Sequence, residues 1–363
     1  IRTKPPKGDG FSGILRSDNG FQHYFRTGNS LDLKYRTSGL EIFANYGWWR
    51  GNTRFDRLND MNTTTSKGTY RQFVSTIGKE SYNDMTGKLG FSYMINDRHS
   101  IGAYYQNSWN RHNTDGTIPS EIWQNGILLD LYNSDVHNQS TAVPRHYANI
   151  YYNGIVGKLN IDFNADYIWY KSRELTFNNE LSEMGNDREV NSSSINRNRM
   201  FAEKLVMTYP LWKGQIEIGE EYTNTRTTNL FSANIPETPN ADNRVDENNI
   251  AVFAELGQQF GRFMIGAGLR YEHVKFNYYE MGLLRDGQSK TYNNIFPSLN
   301  IATQVGKVRM GLNYTGKTIR PGYDQLDGAI SYINRLTYET GNPYLKPTKL
   351  QTVEYMAQWR RFF

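Results

Sequence analysis

From Leu159 onward the chain alternates without a break: Leu159, Ile161, Phe163, Ala165, Tyr167 and Trp169 are apolar, and Asn160, Asp162, Asn164 and Asp166 between them are polar. A period of two puts the two sets on opposite faces of a β-strand. Upstream, Ala148, Ile150 and Tyr152 alternate with Asn149, Tyr151 and Asn153, and the two arms meet at Gly154-Ile155-Val156-Gly157-Lys158. That leaves room only for a tight turn, so the pattern predicts a β-hairpin. Its apolar face ends in Tyr167, Trp169 and Tyr170, about 12 residues from the turn, which at 3.3 Å per residue and a tilt near 45° is a rise of roughly 28 Å. An apolar band of that height with an aromatic rim is what a strand crossing an outer membrane presents.

The unit repeats. Leu31, Leu33 and Tyr35 lead to a turn, and Leu40, Ile42, Ala44, Tyr46 and Trp48 leave it; further pairs of alternating runs flank positions near 97, 157, 211, 260 and 305. A first strand near Phe11 to Ser17 and a last from Val353 to Trp359 bring the expected number to about 14. Between the hairpins lie polar stretches, Gly51 to Ser81, Arg111 to Pro144 and Glu174 to Arg197, that read as long loops. Short turns at one rim and long polar connections at the other are the asymmetry of an outer-membrane barrel. The second face carries Asp, Asn, Glu, Lys and Arg in nearly every strand, as a wet lumen would and a sandwich core would not. The fold class expected is therefore all-β, an antiparallel transmembrane β-barrel in the bacterial outer membrane.

Composition agrees. Aromatics are 14% of the 363 residues, with 26 Tyr, yet mean hydropathy is −0.71. The longest clean apolar run, Phe263 to Leu269, falls far short of the ~20 residues a spanning helix needs. In a barrel only every second strand residue meets lipid, so a polar average is no obstacle. The formal charge of +5 is small and the basic residues are dispersed, which argues against nucleic-acid binding.

Two stretches point to a family. Gly341-Asn-Pro-Tyr-Leu-Lys-Pro-Thr-Lys-Leu-Gln-Thr-Val-Glu-Tyr355 resembles the signature of TonB-dependent outer-membrane receptors, in which a GNPxLKP loop precedes a late strand with an inward glutamate. Thr3-Lys-Pro-Pro-Lys-Gly-Asp-Gly-Phe-Ser-Gly13 is similar to the junction where the plug of such a receptor hands over to its first strand, and Asn293-Asn-Ile-Phe-Pro-Ser-Leu299 resembles the entry into another strand. The resemblance implies a plug junction at residues 1–9, a partial barrel over 10–363, a complete barrel of 22 strands, and a longer polypeptide than this one. It also implies import of a scarce or bulky ligand (iron chelate, cobalamin, oligosaccharide or peptide), energised by the TonB complex. The alternative is a passive porin-like or surface-adhesion barrel with no plug.

Chemistry is sparse. The six histidines lack metal-ligand spacing, and no GxSxG, HExxH or phosphate-binding loop occurs. The expectation is no enzyme, no cofactor and no metal. For ligand binding the candidates are Trp109, Arg111, His112, Trp123 and Tyr132, in or beside the stretch from Arg111 to Pro144, where aromatic faces could stack on a ligand and polar neighbours orient it.

The alternation carries a test. Phe163→Arg, near mid-bilayer on the lipid face, should cost about 2–4 kcal/mol, and Asn164→Arg far less. Equal costs in a refolding titration would defeat this assignment of faces.

Overall fold

The structure is a computed structural model that describes residues 8–359. The chain forms β1 (Gly10–Phe21), β2 (Phe25–Thr37), β3 (Leu40–Thr65), β4 (Gly68–Asn96), β5 (His99–Gln124) and β6 (Ile127–Val156). Next come β7 (Leu159–Ser182), β8 (Arg188–Leu211), β9 (Gly214–Ala233), β10 (Ala241–Phe260), β11 (Phe263–Glu280) and the two-residue β12 (Leu283–Leu284). The rest is β13 (Lys290–Val305), β14 (Val308–Ile319), the one-turn helix α1 (Tyr323–Leu326), β15 (Ile330–Asn334), β16 (Thr337–Thr340) and β17 (Thr348–Trp359). One antiparallel sheet runs β1 to β11, then β13, β14 and β17, each strand paired with the next. Those fourteen strands match the number read from the pattern. β12 is an appendage of β11, and β15 and β16 form a hairpin of their own. Among the described residues no ladder joins β1 to β17. Most of the expected plug junction (residues 1–7) and the terminal Arg-Arg-Phe-Phe lie outside the described residues.

The faces are those the alternation predicts. Asn149 donates to Asn164 Oδ1 (2.9 Å) and Asp166 Oδ1 (2.6 Å), and Tyr147 Oη donates to Asp166 Oδ1 (2.7 Å), so these polar side chains share the lumen face. The opposite face leaves Leu89, Ile150, Ile218, Val252 and Leu269 exposed. In water such a surface would be unfavourable by about 25 cal/mol per Å²; against lipid it needs no partner. At the short-turn rim, Gly157 (φ +62°) and Gly306 (φ +58°) open two-residue turns. Each is followed by a lysine, the Gly-X order that matches strand twist.

The long polar stretches correct the expectation of loops. They are strands. β5 runs 15 residues past Trp109 to Gln124, turns through Asn125-Gly126 (φ +48° and +83°), and returns as β6, which has 30 residues. Polar sequence gives no apolar alternation above the membrane, because both faces there meet water, yet every backbone group still finds a partner on the next strand. The wall over β3–β8 therefore rises roughly 35 Å beyond the aromatic rim, while β1, β2, β14 and β17 have only 12 or 13 residues. Where β6 leaves the membrane a bulge intervenes: Val143 pairs with Lys171 and His146 with Trp169, three steps against two. Pro144, unable to donate to a ladder, sits inside it. The extra residue reverses the faces of β6, so Ile150 points outward but Asn138 points into the lumen.

From the low wall the connection between β14 and β17, residues 320–347, folds back across the outer lumen and leans on the tall wall. Leu326 of α1 is buried with Val245, Phe276 and Tyr278. The return leg is the GNPxLKP segment. Asn342 N donates to Gln325 O (2.6 Å), and Tyr344 N donates to Asn342 Oδ1 (2.9 Å). A Cβ on Gly341 would stand 2.3 Å from the Asp327 carbonyl oxygen and 2.7 Å from that of Gln325. Backbone on backbone has nowhere to shift, which explains glycine at the head of the motif. Gly341→Ala should cost about 1–3 kcal/mol of local docking. The loss would appear as faster hydrogen exchange confined to 320–347; unchanged protection there would refute this role.

Candidate functional site

A carboxylate with no exposure to water holds this inward loop in place. Glu180, on β7, is 0% exposed. It accepts from Arg335 Nε (2.8 Å), Tyr332 Oη (2.6 Å) and Asn178 Nδ2 (3.2 Å). Arg335 also reaches Asp130 on β6 (3.5 Å), and its guanidinium lies 5.1 Å from the centroid of the Tyr132 ring. A buried carboxylate is tolerated only when paired and hydrogen-bonded, and the turn between β15 and β16 brings the partner. Burial, with the Glu180 charge beside it, pushes the Tyr332 hydroxyl well above the ordinary tyrosine range, so it stays a donor. A second anchor is Asp327, which accepts from Asn243 Nδ2 (2.6 Å), from Asn229 and from Ala329 N (3.1 Å). Burial raises the Tyr323 hydroxyl to about 12, the nearby Glu247 carboxylate adding to it.

Loop and wall enclose a cavity of about 1070 Å³. It is lined mainly by amides and hydroxyls, with Tyr170, Tyr278, Tyr323 and Tyr332 among them. Glu174, Asp324, Asp327 and Glu339 line it against one cation, Arg197. Three lining amides share a peculiarity: Asn138 donates to Glu174 (2.7 Å), Asn178 to Glu180 and Asn243 to Asp327, while the Oδ1 of each is buried without a partner in the protein. A carboxylate can only accept, so it fixes each amide with the carbonyl as the free end. Unpaired buried acceptors cost about 1–3 kcal/mol each.

The structure divides the five residues expected from sequence. His112 and Tyr132 point inward. Tyr132 is buried beneath Arg335 and accepts from Gln72 Nε2 (3.0 Å). His112 bridges Glu80 and Asp84, both at 3.0 Å. Burial acts against its charge, but the two carboxylates prevail and raise its pKa. Trp109, Arg111 and Trp123 share a parity with Ile101 and Tyr105 on β5 and so face outward; Trp123 Nε1 donates to Glu121 (3.0 Å). Glu180, Arg335 and Asp327 escaped sequence reasoning. Glu180 and Arg335 lie 155 positions apart, and neither belongs to a motif.

Residues 156–362, more than half of the chain, match the model of the outer membrane protein beta-barrel family. No curated protein sequence matches. Among solved structures, the ferric-catecholate import receptor Fiu of Escherichia coli K12 in its open form aligns at 9% identity over 99% of this chain and 75% of its own, TM-score 0.29. The ferric preacinetobactin receptor BauA of Acinetobacter baumannii aligns at 8% over 98% and 72%, TM-score 0.27. The outer membrane protease OmpT of Escherichia coli aligns at 12% over 79% and 97%, TM-score 0.25. With this protease among the similar structures, the expectation of no enzyme does not stand. Groups gathered from separate strands leave no contiguous motif, so missing motifs never excluded catalysis. At these TM-scores the likenesses assign neither ligand nor activity.

Removing the cation should free the loop. Arg335→Ala leaves Glu180 buried short of its charge partner, a loss of about 3–5 kcal/mol, and should expose residues 328–341 to protease. Adding Glu180→Gln should restore much of the protection; if the double variant is cut as fast as the single, the ion pair is not the latch.

His112 gives a pH dependence. Its folded pKa is raised, so its bridge contributes fully below about 6.5 and is lost as pH rises through the folded value. The difference in melting temperature between the protein and His112→Gln should be largest in acid and shrink in alkali, and the opposite trend would refute the bridge.

Proposed function

Because this chain belongs to the outer membrane protein β-barrel family and lies in the bacterial outer membrane, we propose that it is the barrel of a TonB-dependent receptor that imports a donor-rich, uncharged solute such as an oligosaccharide. The observation that carries the reading is the loop 320–347, latched into the lumen over a polar cavity. Such a loop fits a receptor that must hold its ligand before admitting it.

The ligand class follows from the lining. Four carboxylates against one arginine repel an anionic chelate, the amides and hydroxyls of the lining match the hydroxyls of a sugar, and tyrosine faces suit the apolar side of its ring. In this reading Tyr132 seats Arg335 from below, and His112 ties β4 to β5 further down the lumen wall. Residues 1–9 would hand over from a plug, and the TonB complex would act on sequence before them.

Uptake tests this. In cells carrying the full-length gene as their sole route, uptake of the cognate solute should stop when TonB is deleted or the proton-motive force is collapsed. Persistence of uptake in both conditions would make the barrel a passive pore.

A further inference from the structure

The outward face of the tall wall carries a second, separate feature. Register aligns three strands there. Trp48, Met85 and Trp109 form one row across β3, β4 and β5. Two residues farther from the membrane, Arg50, Asn83 and Arg111 form the next. Trp48 Nε1 donates to Asn83 Oδ1 (2.8 Å), which puts the two rows on one face. With strands about 4.8 Å apart, the arginines stand roughly 10 Å from each other across Asn83. Lys79 lies two rows higher, its ammonium 5.3 Å from the centroid of the Tyr24 ring.

These three cations line a groove of about 820 Å³ with Phe25 and Trp48, and none of its lining residues is acidic. Among the described residues none of the three is in a salt bridge, whereas Arg71 and Arg226, which also face outward, each pair with an aspartate. Arg50 and Arg111 face out directly above the aromatic rim; Lys79 stands higher, opposite Asp115, whose carboxylate is taken by His137. That rim marks the level of the lipid headgroups.

We propose that this groove binds the phosphorylated headgroup of lipopolysaccharide, the lipid of the outer leaflet. Arg50 and Arg111 take phosphate oxygens as paired donors, and Lys79 supplies a point charge to the headgroup farther out. Trp48 and Trp109 pack against the upper acyl chains. The site is independent of the lumen and of what is imported.

Each cation beside an anionic headgroup layer is worth about fivefold in affinity, so three are worth about a hundredfold. The full-length protein, extracted in nonionic detergent, should retain lipopolysaccharide through purification, read as lipid A phosphate by mass spectrometry. Arg50→Gln/Lys79→Gln/Arg111→Gln should lose it. Lys171→Gln/Arg173→Gln, outward cations outside the groove, should keep it. Heat-modifiable migration in gels checks that each variant is folded. Added lipopolysaccharide should raise the melting temperature of the protein but not of the triple variant, and inorganic phosphate should raise neither. Equal retention by the protein and the triple variant overturns the proposal, as does equal stabilisation by phosphate alone, which would indicate a free-anion site.

Discussion

Everything in this protein follows from one requirement: backbone N–H and C=O groups inside a bilayer have no water to turn to. A strand can satisfy them only on its neighbours, at several kcal/mol for each group left over. Hence the strict order of the sheet, in which each strand pairs with the one before it and the one after. Hence also the turns of two residues at one rim, where any longer excursion would only add unpaired groups. The same ladder, once begun, continues above the membrane: β3 to β8 keep pairing where lipid no longer demands it, because a polar strand beside a polar strand is still the simplest way to satisfy the backbone.

The ladder turns the usual arrangement of a protein inside out. Apolar side chains face outward to lipid and the interior is wet and charged. Stability inside must therefore come from paired polar groups. Lys204, Glu221, Arg270, Glu272 and Arg320 form a chain of ion pairs along the lumen face from β8 to β11, and Arg320 opens the inward loop. Higher up, Glu180 and Asp327 hold the loop itself. The outer vestibule is thus built from charge that would be costly unpaired. That makes it both specific in shape and open to release by a change in partners.

The two faces of the tall wall divide the work proposed for it. Within, neutral amides and tyrosines shape a cavity whose carbonyls lack donors. Without, arginines stand over an aromatic rim with no acids to answer them. Both follow from alternation: along β5, His112 points into the lumen and Arg111, one residue earlier, to the headgroups.

Period-two alternation determined the strands, their number, the lipid face and the short turns, because those depend only on neighbours in sequence and on the contrast between lipid and water. Leu159 to Trp169 is enough to orient β7. That signal disappears where both faces are wet, so the outer halves of β3 to β8 read as loops although they are strands. Only the tertiary structure decided the rest. The bulge at Pro144 reverses the parity of β6. The GNPxLKP motif, recognisable in sequence, gives no hint that Gly341 is pressed against the backbone of residues 324–327. And Glu180 finds Arg335 only because a low wall and a tall wall face each other across a lumen, a distance in space that no spacing along the chain encodes.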